Sequence, residues 1–176
     1  MTQTNDSPGA DKLDDMDFQE LFKSGTELLH QGKDAAAVPY LEKAHEMRPQ
    51  GLDAGINLAG AYILTKKFKK AVLILEPLSE HNPDNPMIWT NLGAAYLGNP
   101  VLAKDEDQLR AIAAFEHALE INPAAPSVAY NIGLIYRDRG EYDEAIEWFQ
   151  KAVQHNPQDQ HARSMVAKLQ AAQQSE

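Results

Sequence analysis

Three asparagines at equivalent positions have side chains that could hold a peptide. Each stands two residues before a small residue that recurs along the chain, and the three are Asn57, Asn91 and Asn131. A primary amide has both hydrogen-bond donors and an acceptor. A peptide backbone offers both groups at every residue, so such a row suits an extended chain with little regard to its sequence. We therefore expect a protein or an extended peptide as the partner.

Groups suited to catalysis or to metal binding are few. The sequence contains no cysteine, no Gly-rich phosphate loop, and neither a G-x-S-x-G nor an H-E-x-x-H pattern. It has six histidines, no two of which have a metal-ligand spacing on one predicted helix. Carboxylates such as Glu42 and Glu46 lie near lysines, which is typical of a solvated helix face. We expect neither an enzyme nor a bound cofactor or metal.

The composition narrows the partner further. The 176 residues include 26 Asp and Glu against 16 Lys and Arg, a net charge of -10. Nucleic-acid binding requires a basic face, so no nucleic-acid partner is expected. The sequence has no run of about 18 apolar residues, so membrane insertion is not expected either. Residues 1–16 lack the basic start and the apolar stretch of a signal peptide, and we expect a cytoplasmic location.

Four prolines mark a repeat in the helices that must position these side chains. Each follows an amphipathic stretch and cannot continue a helix. The prolines are Pro49, Pro83, Pro123 and Pro157, at intervals of 34, 40 and 34 residues. Apolar residues 12, 8 and 5 positions before each proline keep step with it, and their spacing puts them on one helical stripe. Those at the middle position are Leu41, Leu75, Phe115 and Phe149.

A second amphipathic helix is predicted before each of these stretches. It carries a small residue where the two helices of a pair would pack. The small residues are Gly25, Ala59, Gly93 and Gly133. In three of the four copies an aromatic residue follows at helical spacing, namely Tyr62, Tyr96 and Tyr136. The sequence therefore predicts four consecutive helix pairs.

The third and fourth copies carry a recognisable signature. The segments WTNLGAAY (89–96), AFEHALEINP (114–123) and YNIGLIYRDRGEYDEAIEWFQKAVQHNP (130–157) resemble the tetratricopeptide repeat, with its W-x2-L-G-x2-Y, A-x3-F and P pattern. The resemblance covers about residues 18–157. The first copy departs most, since Leu21 and Leu28 replace the two aromatic residues.

This resemblance implies an all-α fold, an α-solenoid of four tetratricopeptide helix-turn-helix repeats plus a C-terminal capping helix. Within residues 17–157 the repeats are expected at 18–51, 52–85, 86–125 and 126–157, with the capping helix at 158–174. Residues 1–16 are acidic and polar, so we expect a disordered tail, followed by Asp17 as the first helix cap. A six-residue insertion near 98–105 is interpreted either as a longer surface turn or as a contact surface built on Val101 and Leu102.

In this family the first helix of each pair lines a concave groove, so the resemblance places the three asparagines in a peptide-binding groove. The residues expected beside them are Phe22, Lys23, Ile56, Met87, Thr90, Tyr130 and Arg137. Two other interpretations of the asparagines stay open, family consensus without binding and helix packing. A clamp for a C-terminal carboxylate, known in this family, is disfavoured because the basic residues that it needs are missing.

The expected role is that of an adaptor, scaffold or assembly factor. Two alternatives stay open. One is a small acidic chaperone of the secretion type, and the other is a self-associating structural protein, for which homo-oligomerisation is possible. We expect a bacterial source, because the repeats stand without other domains.

Overall fold

The computed structural model describes residues 13–125 and 127–174, and nine helices are found within them. They are α1 (Phe18–His30), α2 (Asp34–Met47), α3 (Leu52–Leu64), α4 (Phe68–His81), α5 (Pro86–Leu97), α6 (Asp105–Ile121), α7 (Val128–Asp138), α8 (Tyr142–His155) and α9 (Gln160–Gln173). This part of the chain contains no strand. The predicted all-α helical-repeat fold is confirmed.

The helices pack as consecutive pairs. The most extensive contacts join α1 to α2, α3 to α4, α5 to α6, and α7 to α8, and α9 packs on α8. The chain divides into two compact units, residues 1–82 with the first two pairs and residues 83–176 with the last two pairs and α9. Each helix pair is therefore one repeat.

Side-chain caps begin several of the helices. The Asp17 carboxylate accepts a hydrogen bond from the Glu20 backbone at 2.9 Å, and the Glu20 carboxylate accepts one from the Asp17 backbone at 3.0 Å. This is the predicted capping box at the start of α1. Asn85 and Asp159 cap α5 and α9 in the same way, since their side chains accept bonds from backbone N–H groups at 3.0 and 2.9 Å.

Two helices run through a proline, which the repeat pattern alone does not predict. Pro39 lies inside α2 and Pro77 inside α4. An internal proline removes a backbone hydrogen bond and costs about 3 kcal/mol. Both helices nevertheless bury a row of apolar side chains, among them Leu41 in α2 and Leu75 in α4. Each buried leucine contributes about 1.5–3 kcal/mol, so packing outweighs the local cost.

The two helices of a repeat approach closely at a small residue. A Cβ atom added to Gly93 would lie 2.6 Å from the Phe115 ring, and one added to Gly133 would lie 2.8 Å from the Phe149 ring. Both phenylalanines are buried. In the first repeat a Cβ atom on Gly25 would lie 2.6 Å from the Leu41 side chain, and in the second repeat the equivalent residues are Ala59 and Leu75. A small residue at this position therefore allows the two helices to approach closely, whether the facing side chain is leucine or phenylalanine.

The insertion in the third repeat is divided between a loop and a helix. Three residues separate the two helices in the other repeats, whereas residues 98–104 separate α5 from α6. Helix α6 also begins almost one turn earlier relative to its proline than α2, α4 and α8 do. Val101 is 90% exposed and Leu102 is 75% exposed. The surface-turn interpretation describes this loop, and a role for its apolar pair stays a prediction.

A polar network holds the added helical turn of α6. The Arg139 guanidinium lies in the turn between α7 and α8, and its Nη1 donates to Oε1 of the buried Gln108 at 3.1 Å. The same group lies 3.5 Å from Asp105, and its Nε donates to Glu141 at 2.7 Å. The extra turn is thus tied to the fourth repeat.

The last residues of the predicted N-terminal tail pack against the first repeat. The predicted disordered tail covered residues 1–16, of which residues 1–12 lie outside the described part. Leu13, however, is buried against Leu21 and Ala44, and Asp14 pairs with Lys43 at 2.6 Å. An apolar contact and an ion pair therefore order the end of this segment.

The last helix covers the fourth repeat. Ala162 of α9 is fully buried and packs with Ala129 and Ala152. Three apolar residues further along α9 are half-buried, namely Met165, Val166 and Leu169. Helix α9 thus contacts α8 through one side and leaves its other side to solvent.

One buried polar atom in the first unit has no partner. The Nδ1 atom of His45, on α2, is buried without a hydrogen bond to any residue within the described ranges. Burial lowers the pKa of His45 below its ordinary value of 6.5, and the nearby Glu46 carboxylate opposes this shift. The folded chain therefore favours the neutral imidazole.

We predict that the Gly133→Ala variant is less stable by about 1–3 kcal/mol, because its methyl group would press against the Phe149 ring. Gly60→Ala is the matched control, since a Cβ at Gly60 meets nothing within 4 Å. That variant should be more stable by about 0.5–1 kcal/mol. Adding Phe149→Leu to Gly133→Ala should cost less than the two single changes together. Urea unfolding followed by circular dichroism checks this, and strict additivity of the two changes would contradict it.

We also predict that His45 lowers the stability of the fold in mild acid. The unfolded chain takes up a proton near pH 6.5, whereas folded His45 does so only at lower pH. Stability is therefore fully present above pH 6.5 and is lost as the pH falls toward 5. Urea midpoints at pH 7 and pH 5 should differ less in His45→Gln than in the wild-type chain. His161→Gln, an exposed histidine, is the control and should keep the full difference.

Candidate peptide-binding face

The candidate face lies on the first helix of each repeat, on the side away from the second helix. The small residue at the centre of the helix pair defines this direction, since it contacts the second helix. A residue two positions earlier is about 200° away around a helix of 3.6 residues per turn. Asn57, Asn91 and Asn131 all occupy that position. Their side chains therefore point away from the second helix of their own repeat.

In the second unit two asparagine amides have no hydrogen-bond partner among the described residues. Asn91 on α5 and Asn131 on α7 are half-buried. Neither side chain makes a hydrogen bond to any residue in 13–125 or 127–174. A half-buried amide that the protein itself does not satisfy is available to a ligand. These two residues are the strongest candidates for binding a peptide backbone.

In the first unit the equivalent asparagine has a structural contact. The Asn57 amide on α3 donates to the Thr26 hydroxyl on α1 at 3.0 Å. Thr26 in turn donates to the Phe22 carbonyl oxygen at 2.8 Å. Asn57 therefore joins the first helices of two repeats, which supports the helix-packing interpretation for this one position. Its carbonyl oxygen, with no hydrogen bond to a described residue, is still an acceptor.

The apolar flank of the predicted groove is more buried than expected. Its members lie three residues before the small residue, which is only about 60° from the direction of the second helix. Ile56 is 7% exposed and belongs to the core, so its assignment to the binding surface was wrong. Phe22 stacks on Phe18 with ring centroids 5.8 Å apart, and Tyr130 packs on Phe149 at 5.3 Å.

The other predicted groove residues differ in exposure. Thr90 is half-buried on α5, and Met87 near the start of the same helix is 57% exposed. Lys23 is exposed and its ammonium lies 3.9 Å from the Glu27 carboxylate. Met87 and Lys23 are therefore accessible to a ligand.

Positive charge on this face is balanced by neighbouring acids. Lys23 has Glu27 one turn away, and the Arg137 guanidinium bonds to Asp138 through Nε at 2.8 Å and Nη2 at 2.5 Å. A buried carboxylate ligand needs unpaired cations to offset its lost hydration. The arrangement therefore favours the neutral groups of a peptide backbone over a terminal carboxylate.

A small cavity beside Tyr130 was not predicted from the sequence. It has a volume of about 230 Å³ and lies near the start of α7. Its lining includes four alanines and three polar side chains at and beyond the end of α8, and among its residues are Ala125, Ala129, Tyr130, Ala152 and Asp159. The feature of the sequence that could have predicted this cavity is the run of small residues after Pro123, because larger side chains there would fill the space. The cavity could receive one side chain of a bound peptide.

The described ranges contain neither a candidate metal site nor a helix that could span a membrane. Among residues 13–125 and 127–174, no group of three or more His, Cys, Asp or Glu side chains is placed to hold a metal ion. No helix there is both long and apolar enough to cross a bilayer.

Comparison with known proteins identifies the family. A tetratricopeptide repeat model matches residues 28–95, and a second model of the same repeat matches residues 126–159. Together they cover more than half of the 176 residues. The chain belongs to the tetratricopeptide repeat family, as the sequence signature predicted. Proteins of this family and fold are typically modules of protein interaction and assembly.

Two curated relatives show how far the similarity extends. The chain is 29% identical over 167 residues to the cellulose synthase operon protein C of Pseudomonas fluorescens, with 95% of this chain and 12% of that protein covered. It is 34% identical over 120 residues to the photosystem I assembly protein Ycf3 of Prochlorococcus marinus, with 64% and 63% covered. The chain thus spans less than two thirds of either relative.

A solved structure has the same fold. A thermophilic tetratricopeptide repeat protein of Thermus thermophilus superposes with a TM-score of 0.73 at 23% sequence identity. The match covers 89% of this chain and 83% of that one. The likeness independently supports the helical-repeat architecture.

We predict different stability effects for the three asparagines. Asn57→Ala should destabilise the chain by about 0.5–1.5 kcal/mol, because it removes the hydrogen bond to Thr26. Asn91→Ala and Asn131→Ala should each change stability by less than about 0.5 kcal/mol, because no described partner is lost. Urea unfolding of the three single variants tests this. Equal losses at all three positions would show that Asn91 and Asn131 also have structural partners.

Proposed function

We propose that the second unit binds an extended segment of a partner protein along α5 and α7, the first helices of its two repeats. The observation that carries this proposal is the pair of half-buried amides of Asn91 and Asn131, which no described residue satisfies. Each amide can accept a bond from a peptide N–H and donate to a peptide carbonyl. Membership of an interaction family supports the same conclusion.

The recognition is chiefly of backbone rather than of side chains. Both polar groups of an amide match a backbone, and the cations of this face are paired with acids. Met87 and Tyr130 add apolar surface near the two amides. The bound segment is accordingly extended and carries no required charge at its ends.

The role that follows is that of an adaptor, scaffold or assembly factor rather than an enzyme. One relative is named as an assembly protein, which supports this role without identifying the partner here. A binding module also needs no reacting group, and the family typically has none. Specificity would come from side-chain contacts beside the asparagines, such as the cavity at Tyr130.

The test is a selection of binders from a library of unstructured peptides, followed by affinity measurements. The double variant Asn91→Ala, Asn131→Ala should bind a selected peptide about 5- to 100-fold more weakly, since each lost hydrogen bond costs about 0.5–1.5 kcal/mol. The matched control is Gln150→Ala, Gln154→Ala, which removes two exposed amides from α8. Its affinity should equal that of the wild-type chain.

Chemical variation of the peptide tests backbone recognition directly. Methylating the backbone nitrogens of the selected peptide one at a time removes single donors. At least one methylation should weaken binding to the wild-type chain but not weaken it further in the double variant. If every methylated peptide binds as the parent does, or if the double variant keeps full affinity, the proposed function is wrong.

A further inference from the structure

A larger cavity lies against α6, α7 and α8 and adjoins the smaller cavity beside Tyr130. Its volume is about 510 Å³, within the range typical of ligand sites. No predicted groove residue lines it. The lining residues are Glu116, Leu119, Glu120, Pro123, Ala129, Trp148, Lys151 and His155. All of them belong to the second unit.

One wall of this cavity is a tryptophan side chain that packs against its neighbours. Trp148 is half-buried and packs against the core residues of the last two repeats. The Lys151 ammonium lies 3.7 Å from the centre of its ring, a close cation–π contact. Lys151 makes no ion pair with a carboxylate in the described ranges. The ring face therefore already holds a cation that has no ion-pair partner in the described part of the chain.

Carboxylates outnumber lysines and arginines in the cavity lining, which has two glutamates and one lysine. Glu116 and Glu120 line the cavity itself and are exposed. Glu120 bonds to His117 at 2.9 Å, while Glu116 has no ion pair within the described ranges. The cavity thus joins a π face to a local excess of negative charge.

We propose that this cavity is a second protein-binding site and that it takes an arginine side chain of a partner. Arginine fits both features, because its planar guanidinium stacks on tryptophan and donates in a fork to a carboxylate. The incoming guanidinium replaces the Lys151 ammonium over Trp148 and faces Glu116. This inference goes beyond the peptide face, since neither Asn91 nor Asn131 lines the larger cavity, although Pro123, Ala129 and His155 also line the smaller cavity beside Tyr130.

The test uses two capped peptides as probes, acetyl-Gly-Arg-Gly-Arg-Gly-amide and the same peptide with glutamine for arginine. Binding is followed by the indole N–H signals of the ¹⁵N-labelled chain, and a Trp89→Phe variant assigns them. The Trp148 signal should move saturably with the arginine peptide at concentrations up to about 10 mM, the range for a single weak contact. The glutamine peptide should leave it in place.

Two pairs of variants separate the cavity from general charge attraction. Glu116→Gln, Glu120→Gln should weaken the arginine peptide about fivefold or more, whereas Glu106→Gln, Glu147→Gln removes the same charge elsewhere and should weaken it less than twofold. Lys151→Gln should strengthen binding about threefold, because it removes the resident cation, and Lys168→Gln should have a smaller effect. The Asn91→Ala, Asn131→Ala variant should bind the arginine peptide normally.

Several outcomes would overturn this site. They are an unmoved Trp148 signal, an equal response to the glutamine peptide, and equal weakening by the two pairs of glutamate variants. Weaker binding after Lys151→Gln would show that the ring does not exchange one cation for another. A Trp148 signal that moves on concentrating the chain alone would assign the cavity to a second copy of this chain instead. None of these results bears on the peptide face, which the library experiment tests by itself.

Discussion

The close contact between the two helices of a repeat is the constraint on which the rest of this structure depends. At Gly93 and Gly133 there is no space for a Cβ atom, because a phenylalanine ring of the paired helix occupies it. Interiors packed at crystal-like density do not absorb even a methyl group without movement. The contact therefore sets both the distance between the helices and the rotation of the first helix about its axis.

That rotation decides which side chains are available for binding. Once the small residue points at the second helix, the residue two positions before it points away, and the residue three positions before it lies beside the contact. Asn91 and Asn131 are therefore accessible. By contrast, Ile56 is in the core, and the Tyr130 ring packs against the Phe149 ring. One packing residue per repeat thus positions the polar row and also explains the burial of its apolar neighbours.

The third repeat shows how an irregularity is accommodated. Gln108, the first residue after the added turn of α6, is buried, and a buried amide without a partner costs about 1–3 kcal/mol. Arg139 from the next repeat supplies the hydrogen bond and also bonds to Glu141. In the same unit, Trp148 and the two glutamates Glu116 and Glu120 line a cavity. The features that distinguish this chain from a regular repeat therefore lie at the positions where its repeats differ from one another.

The sequence by itself determined the helices, their pairing and the repeat register, because periodicity and the matching of small to large residues are local properties. It also located the asparagine row and the insertion, and the family signature implied the fold. Only the tertiary structure decided that Asn57 bonds to Thr26, that Ile56 is buried, that α2 and α4 continue through Pro39 and Pro77, and that Trp148 lines a cavity. Each of these depends on helices brought together from distant parts of the sequence, as with Thr26 and Asn57, which are 31 positions apart. The energies of such contacts between helices cannot be read from the residue pattern of any single helix.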